Sequence, residues 1–221
     1  MQQPLSHILH GQHLWLSSDR CIFWEEKKTL IVSDLHFGKT GHFRKEGIAI
    51  PQDVYKEDLQ RLIHQVQFFQ PNSLVVVGDM FHSKLNLELE FFKKWRKDFP
   101  QLSIELVKGN HDILQDEWYQ KAELTVHADQ LSMTPFSFTH DIASLKTPAD
   151  NTVLYHFSGH IHPGVLVYGG GKQSLRFPCF YFGQDYAVLP AFSRFTGTYL
   201  IEPKSNESVF AIVENSIVQL Q

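Results

Sequence analysis

Three apolar runs in this chain end in the same manner. Thr29-Leu30-Ile31-Val32 leads into Asp34-Leu35-His36, Ser73 to Val77 into Gly78-Asp79, and Ser103 to Val107 into Gly109-Asn110-His111-Asp112. Two more clusters, Thr139-His140-Asp141 and Gly159-His160-Ile161-His162-Pro163, also follow short strand-like stretches. Continuous apolar runs suit strands buried on both faces. In open α/β sheets, ligands bind beyond the carboxyl ends of such strands, so the loops are expected to converge at one edge. Carboxylates and imidazoles are costly to bury singly, but a metal ion holds several together.

Between these runs the period of the apolar residues changes. Tyr55, Leu59, Leu62, Ile63, Val66 and Phe69 fall at helical spacing, with Asp53 as an N-cap candidate and Pro71 just past the end. Leu85, Leu89, Phe92, Trp95 and Phe99 mark a second helix, stopped by Pro100. Strand, helix, strand, helix, strand implies right-handed crossovers and a parallel or mixed sheet. After residue 123 short strands dominate, and Gly169-Gly170-Gly171 reads as a turn because no helical pattern follows it. The expected fold is α/β: two mixed sheets packed face to face, with helices outside, in one domain spanning residues 1–221.

Composition narrows the function. The chain has 221 residues, 43% of them hydrophobic, which argues against disorder. A net charge of −4 gives no bulk basic character for nucleic acid, although a local patch is compatible with it. Cys21 and Cys179 lie in apolar surroundings without metal or redox spacing and read as buried reduced thiols. No apolar run reaches the length of a membrane span, and no basic-then-apolar signal pattern opens the chain. The expectation is a soluble cytoplasmic protein with no membrane partner.

Thirteen histidines are present, and their positions matter more than their number. The site reading takes Asp34, His36, Asp79, Asn110, His140, His160 and His162 as candidate ligands, with His111 beside them. Alternation in an extended segment would point Asp34 and His36 the same way, and likewise His160 and His162. Gly78, Gly109 and Gly159 each precede a candidate at a sharp strand exit, where a Cβ would restrict the turn. Seven nitrogen and oxygen donors exceed one tetrahedral ion and fit two divalent ions, with Mn first and Fe, Zn, Ni or Co also compatible. Singly, such residues are more often turn formers or core histidines; five clusters at five strand exits are not readily explained that way.

The order Asp-x-His, Gly-Asp, Gly-Asn-His-Asp, His, Gly-His-x-His, from Asp34 to His162, resembles the calcineurin-like metallophosphoesterases. The resemblance implies an αββα sandwich with a dinuclear centre. One ion would be held by Asp34, His36, Asp79 and His162. The other would be held by Asp79 as bridge, Asn110, His140 and His160. His111 would be the unliganded catalytic acid, oriented by Asp112, and a metal-bridging hydroxide would attack phosphorus. Phe43-Arg44 with Gly47 and Pro51, Gly78 to Ser83, Pro178-Cys179-Phe180 and Leu189 to Gly197 are similar to the bacterial ligase-associated DNA-damage-response endonuclease branch, from which Ser193 departs by replacing a glycine. That branch implies a phosphodiesterase or nuclease acting on DNA, a setting in DNA repair, and association with a DNA ligase and helicase.

The alternatives are a phosphatase or pyrophosphatase for a small nucleotide or lipid-linked substrate, and a non-catalytic scaffold such as the retromer subunit that resembles this family. The full donor set and His111 weigh against the scaffold. Lys39, Arg44 and Lys45 are phosphate-docking candidates, His82 is either a support for the Asp79 loop or a cap, and Arg194 is unassigned. Lys93, Lys94, Arg96 and Lys97 read as a solvated helix face.

Overall fold

The computed structural model describes residues 3–39, 53–82, 87–145, 154–169 and 173–221. The first sheet holds seven strands in chain order: β1 (Leu5–Leu9), β2 (Gln12–Ser17), β3 (Cys21–Trp24), β4 (Thr29–Ser33), β5 (Ser73–Val77), β6 (Ser103–Val107) and β7 (Thr125–His127). Strands β1 to β4 are antiparallel and joined by tight turns. Strands β4 to β7 are parallel. Parallel neighbours need crossovers, and α1 (Asp53–Phe69), α2 (Leu87–Asp98) and α3 (Asp116–Lys121) lie in those three connections.

The second sheet follows in the chain. Its strands are β8 (Gln130–Met133), β9 (Phe136–Thr139), β10 (Tyr155–Ser158), β11 (Pro163–Tyr168), β12 (Ser174–Phe182), β13 (Tyr186–Val188), β14 (Tyr199–Leu200), β15 (Ser208–Val213) and β16 (Ser216–Gln219). Their spatial order is β14-β11-β12-β13-β10-β9-β8, with β15 on β12 and β16 on β15. The β9–β10, β10–β13 and β11–β14 pairs are parallel. Both sheets are therefore mixed, as expected.

Strand alternation sorts the apolar runs into two layers. Leu30, Val32, Leu74, Val76, Ile104 and Leu106 face Leu62 and Val66 of α1, Leu89, Phe92 and Trp95 of α2, and Trp118 of α3. Ile31, Val75, Val77 and Val107 face the other way, against Phe136, Phe138, Phe157 and Phe180 of the second sheet. Those four phenylalanines are fully buried; each burial contributes about 1.5–3 kcal/mol. A smaller cluster, centred on Val165, Cys179, Tyr181 and Val209, lies on the second sheet away from the first. Both cysteines are buried and unpaired, and no described helix is long and apolar enough to cross a membrane.

Strands β5 and β6 fall where the apolar runs place them, and β4 extends one residue past its run, to Ser33. Strands β1 and β8 and helix α3 have no counterpart in the sequence reading. Helix α3 is six residues long, too short to display a helical period, and β8 shows no regular burial alternation. Strand β12 begins at Ser174, earlier than its apolar part, because Ser174 to Arg176 are exposed. Phe43, Arg44, Lys45, Gly47, Pro51, Ser83 and Leu85 lie outside the described residues.

Candidate metal centre

Each cluster named in the sequence leaves the carboxyl end of a strand, and backbone hydrogen bonds lace the clusters together. Asp34 N–H donates to Gly78 O (3.1 Å), and His36 N–H to Asp79 O (2.9 Å). Gly159 N–H donates to His140 O at 3.0 Å, and His160 N–H to Asp34 Oδ2 at 3.2 Å. Strands β4, β5, β9 and β10, from both sheets, thus deliver their ends to one place.

The backbone there is not extended. Asp34, His36, Asp79, His160 and His162 all have left-handed φ values, between 47° and 68°. The paired candidates therefore do not share a direction through strand alternation; alternate residues of these loops, Asp34 and His36, and His160 and His162, are left-handed. Asp and His tolerate this region better than most residues, at about 1–3 kcal/mol each. The glycines have a second reason as well. Gly78 has φ +76°, and a Cβ there would overlap the His140 ring. Gly109 and Gly159 lack positive φ, but a Cβ at either would overlap the Asp79 or the Asp34 carboxylate. They permit close approach of loop to ligand.

Asp34, His36 and His162 bring donor atoms within 4.8 Å of one another, as do Asp34, Asp79 and His140. His140 Nε2 lies 3.1 Å from Asn110 Oδ1, 3.1 Å from His160 Nδ1 and 3.5 Å from Asp79 Oδ2. One ring nitrogen carries at most one proton, so it cannot satisfy both the Asn110 and the Asp79 oxygens. His140 Nδ1 faces Val77 O at 3.5 Å, which directs its proton there and turns a lone pair on Nε2 toward the cluster. His36 is buried, with neither ring nitrogen hydrogen-bonded, and Asp34 Oδ1 accepts no hydrogen bond while facing His162 Nε2 at 3.3 Å. Burial lowers the His36 pKa to about 2, so the ring stays neutral with a lone pair available. Converging lone pairs in a buried site repel one another unless cations lie among them. The donor set fits divalent metal, and Asn110 and His160 on the exposed side leave it open to solvent.

Around this set stand residues of other kinds. His111 N–H donates to Asp79 Oδ1 at 2.9 Å, and its half-exposed ring holds Nε2 4.0 Å from Asp79 Oδ2. His82 packs its ring on His111 (4.2 Å between centroids) and toward His36 (5.6 Å), which places it beside the candidate site. Lys39 is half-buried; burial lowers its pKa, opposed by the Asp79 and Asp34 carboxylates. Asp112 does not orient the His111 ring as expected. Its carboxylate accepts from the backbone N–H groups of Gly109 (2.9 Å), Phe81 (2.9 Å) and Met80 (3.3 Å), fastening two ligand loops together. Burial raises its pKa to about 7.

A second supporting group left no signal in the sequence. Buried Arg61 on α1 donates to Asp58 Oδ1 (2.7 Å), Phe192 O (2.5 Å) and Asp19 O (3.2 Å), and lies 4.3 Å from the Phe192 ring centre. Arg20 donates to Ala191 O and Ser193 O. The segment so clamped bonds to the first ligand loop, Phe192 N–H to Ser33 O (2.8 Å) and Ser193 N–H to Asp34 O (3.2 Å). Arg194 belongs to this network: its backbone N–H faces both Asp58 oxygens, and its half-exposed guanidinium lies 4.0 Å from Asp19. Only the fold brings helix α1 and residues 190–194 together.

Among curated proteins, none matches the chain significantly. Among solved structures, a nuclease MPE from Pseudomonas putida superposes with a TM-score of 0.82 and 26% identity, over 98% of this chain and 100% of that one. The family profile of the calcineurin-like phosphoesterases matches residues 27–189, the stretch from just before β4 to just past β13 that contains every candidate ligand. This chain is a member of the calcineurin-like phosphoesterase family, a metal-dependent phosphoester hydrolase.

Proposed function

We propose that this protein hydrolyses phosphodiester bonds in nucleic acid, with DNA as the polymer and repair as the setting, and that it does so with two divalent ions. The observation that carries the reading is the convergence of seven candidate donor residues, with His111 beside them. The likeness to a nuclease supports it. Asp34, His36, Asp79 and His162 would hold one ion, and Asp79, Asn110, His140 and His160 the other, with manganese our first choice. When bound, such ions supply Lewis acidity toward a phosphoryl oxygen and a water acidified to near neutrality.

The chain's own residues do the rest. Asp34 and Asp79 bring negative charge to a buried site and fix the spacing of the loops. His111 is tied to Asp79 through its backbone, so its ring stands at a set height over the open side. As an imidazolium it donates a proton to the leaving oxygen, or a hydrogen bond to the phosphoryl oxygen as charge builds there. His82 holds that ring in place from behind.

The test uses bis-p-nitrophenyl phosphate and single-stranded DNA with Mn²⁺. His111→Ala is expected to lower kcat by about 10²–10⁴-fold with metal content retained, and Asp79→Ala to lower both. Parental rates in both variants would overturn the assignment. The net charge of −4 favours a second reading, a phosphatase or pyrophosphatase for a small nucleotide or lipid-linked substrate, because DNA binding draws on clustered Lys and Arg. Comparing DNA with nucleoside mono- and diphosphates separates the two.

A further inference from the structure

Lys39 stands three residues beyond His36, and the fold fixes where its side chain starts. Its backbone N–H donates to His36 O at 3.1 Å, closing a four-residue turn in which Gly38 takes φ +97°. Glycine adopts that turn position without steric cost. The turn is fastened to the Asp79 loop at three points: His36 N–H to Asp79 O, Phe37 N–H to Met80 O (2.9 Å) and His82 N–H to Phe37 O (2.7 Å). Lys39 is half-buried, and the carboxylates that act on its ammonium are those of Asp79 and Asp34. Burial first, and the Lys39 charge next, keep the His36 ring neutral. A cation rooted in the first ligand loop therefore stands beside the donor set.

We infer that the Lys39 ammonium is a substrate-binding group of this site, and that it meets a non-bridging oxygen of the phosphate to be cleaved. The inference rests on the phosphodiesterase reading and deepens it. Charge balance is the reason. Asp34 and Asp79 are the two carboxylates proposed to hold metal, so metal and Lys39 compete for the same negative charge. Once both carboxylates are so used, a half-buried ammonium is left without a counter-charge, which is costly. A phosphate on the open side restores it, and lysine serves there as a point charge on a flexible stem. His36 borders both substrate-facing groups: Lys39 acts on its ring, and the His111 ring lies 5.6 Å from it. The division of labour is then Lys39 on an oxygen that stays on phosphorus and His111 on the one that leaves.

The test measures binding as well as rate, by titration calorimetry with inorganic phosphate as the probe. Lys39→Met keeps the apolar stem and removes the charge. On the Mn²⁺-loaded protein it is expected to weaken phosphate binding by about 10- to 100-fold, the range for one charge-assisted hydrogen bond, and Lys39→Arg to keep most of that binding. On the metal-free protein, Mn²⁺ is expected to bind Lys39→Met at least as tightly as the parent, because a cation competing for Asp34 and Asp79 is gone. A purely structural role predicts a loss of both. Unmoved phosphate binding in Lys39→Met, a joint loss of metal and phosphate, or a parent that binds no phosphate overturns the inference, while the phosphodiesterase reading stands on its own rates. A parent that binds phosphate but cleaves neither bis-p-nitrophenyl phosphate nor DNA overturns that reading alone.

Discussion

Five of the seven candidate ligands sit in left-handed backbone, so the site stores strain at the positions that carry its chemistry. Such strain persists only where neighbours over-determine the conformation, and Asp112 is the clearest of those neighbours. It holds three backbone N–H groups from two ligand loops, two of them on fully buried residues. Removing it strands donors that cannot reach water. Asp112→Ala is therefore expected to cost about 2–5 kcal/mol of stability, read as a lower urea midpoint, together with weaker metal retention. A loss below about 1 kcal/mol would show that the loops are held by other means. The sequence marked Asp112 as part of a cluster, but not what it does, because an aspartate after a histidine looks the same whether it turns to that ring or back to the main chain.

At the scale of elements, strand ends supply the donors and helix α1 supplies a brace. The Arg61–Asp58 pair is buried and binds the 190–194 segment, which in turn bonds to Ser33 and Asp34. Breaking a buried pair from one side costs about 3–5 kcal/mol, because the remaining charge is left uncompensated. Arg61→Ala is expected to lose that much in urea denaturation, and to hold metal less tightly through displacement of the Asp34 loop. Arg61→Ala with unchanged metal affinity would remove the brace from the account. The apolar period located α1 itself, since six apolar positions recur at helical spacing. It carried no sign of the brace, because an arginine in the middle of an amphipathic helix reads as solvated until the chain that covers it is placed.

For the whole molecule, metal and fold are linked. The donors come from both sheets, so ions that bind the assembled site stabilise the packing of one sheet on the other. At a metal concentration about 100-fold above Kd this linkage is worth about 2.7 kcal/mol, or a shift in Tm of about 5–10 °C for a chain of this size. Calorimetry before and after chelation, then after adding Mn²⁺ back, checks it; a Tm that ignores the metal would mean that the donors do not bind it in the folded state. The local signals were sufficient for the layers and for marking the residues that gather at the candidate site. Two-residue alternation along β4, β5 and β6 assigns side chains to opposite cores, and the polar clusters that end these runs announce themselves by residue type. Both are short-range properties of a chain and can be read from its order. The left-handed turns, the close approach at Gly109 and Gly159, the Asp112 fastening and the Arg61 brace all depend on contacts between residues distant in sequence. These were decided by the packing of the two sheets, since only a folded chain determines which backbone passes within bonding distance of which side chain.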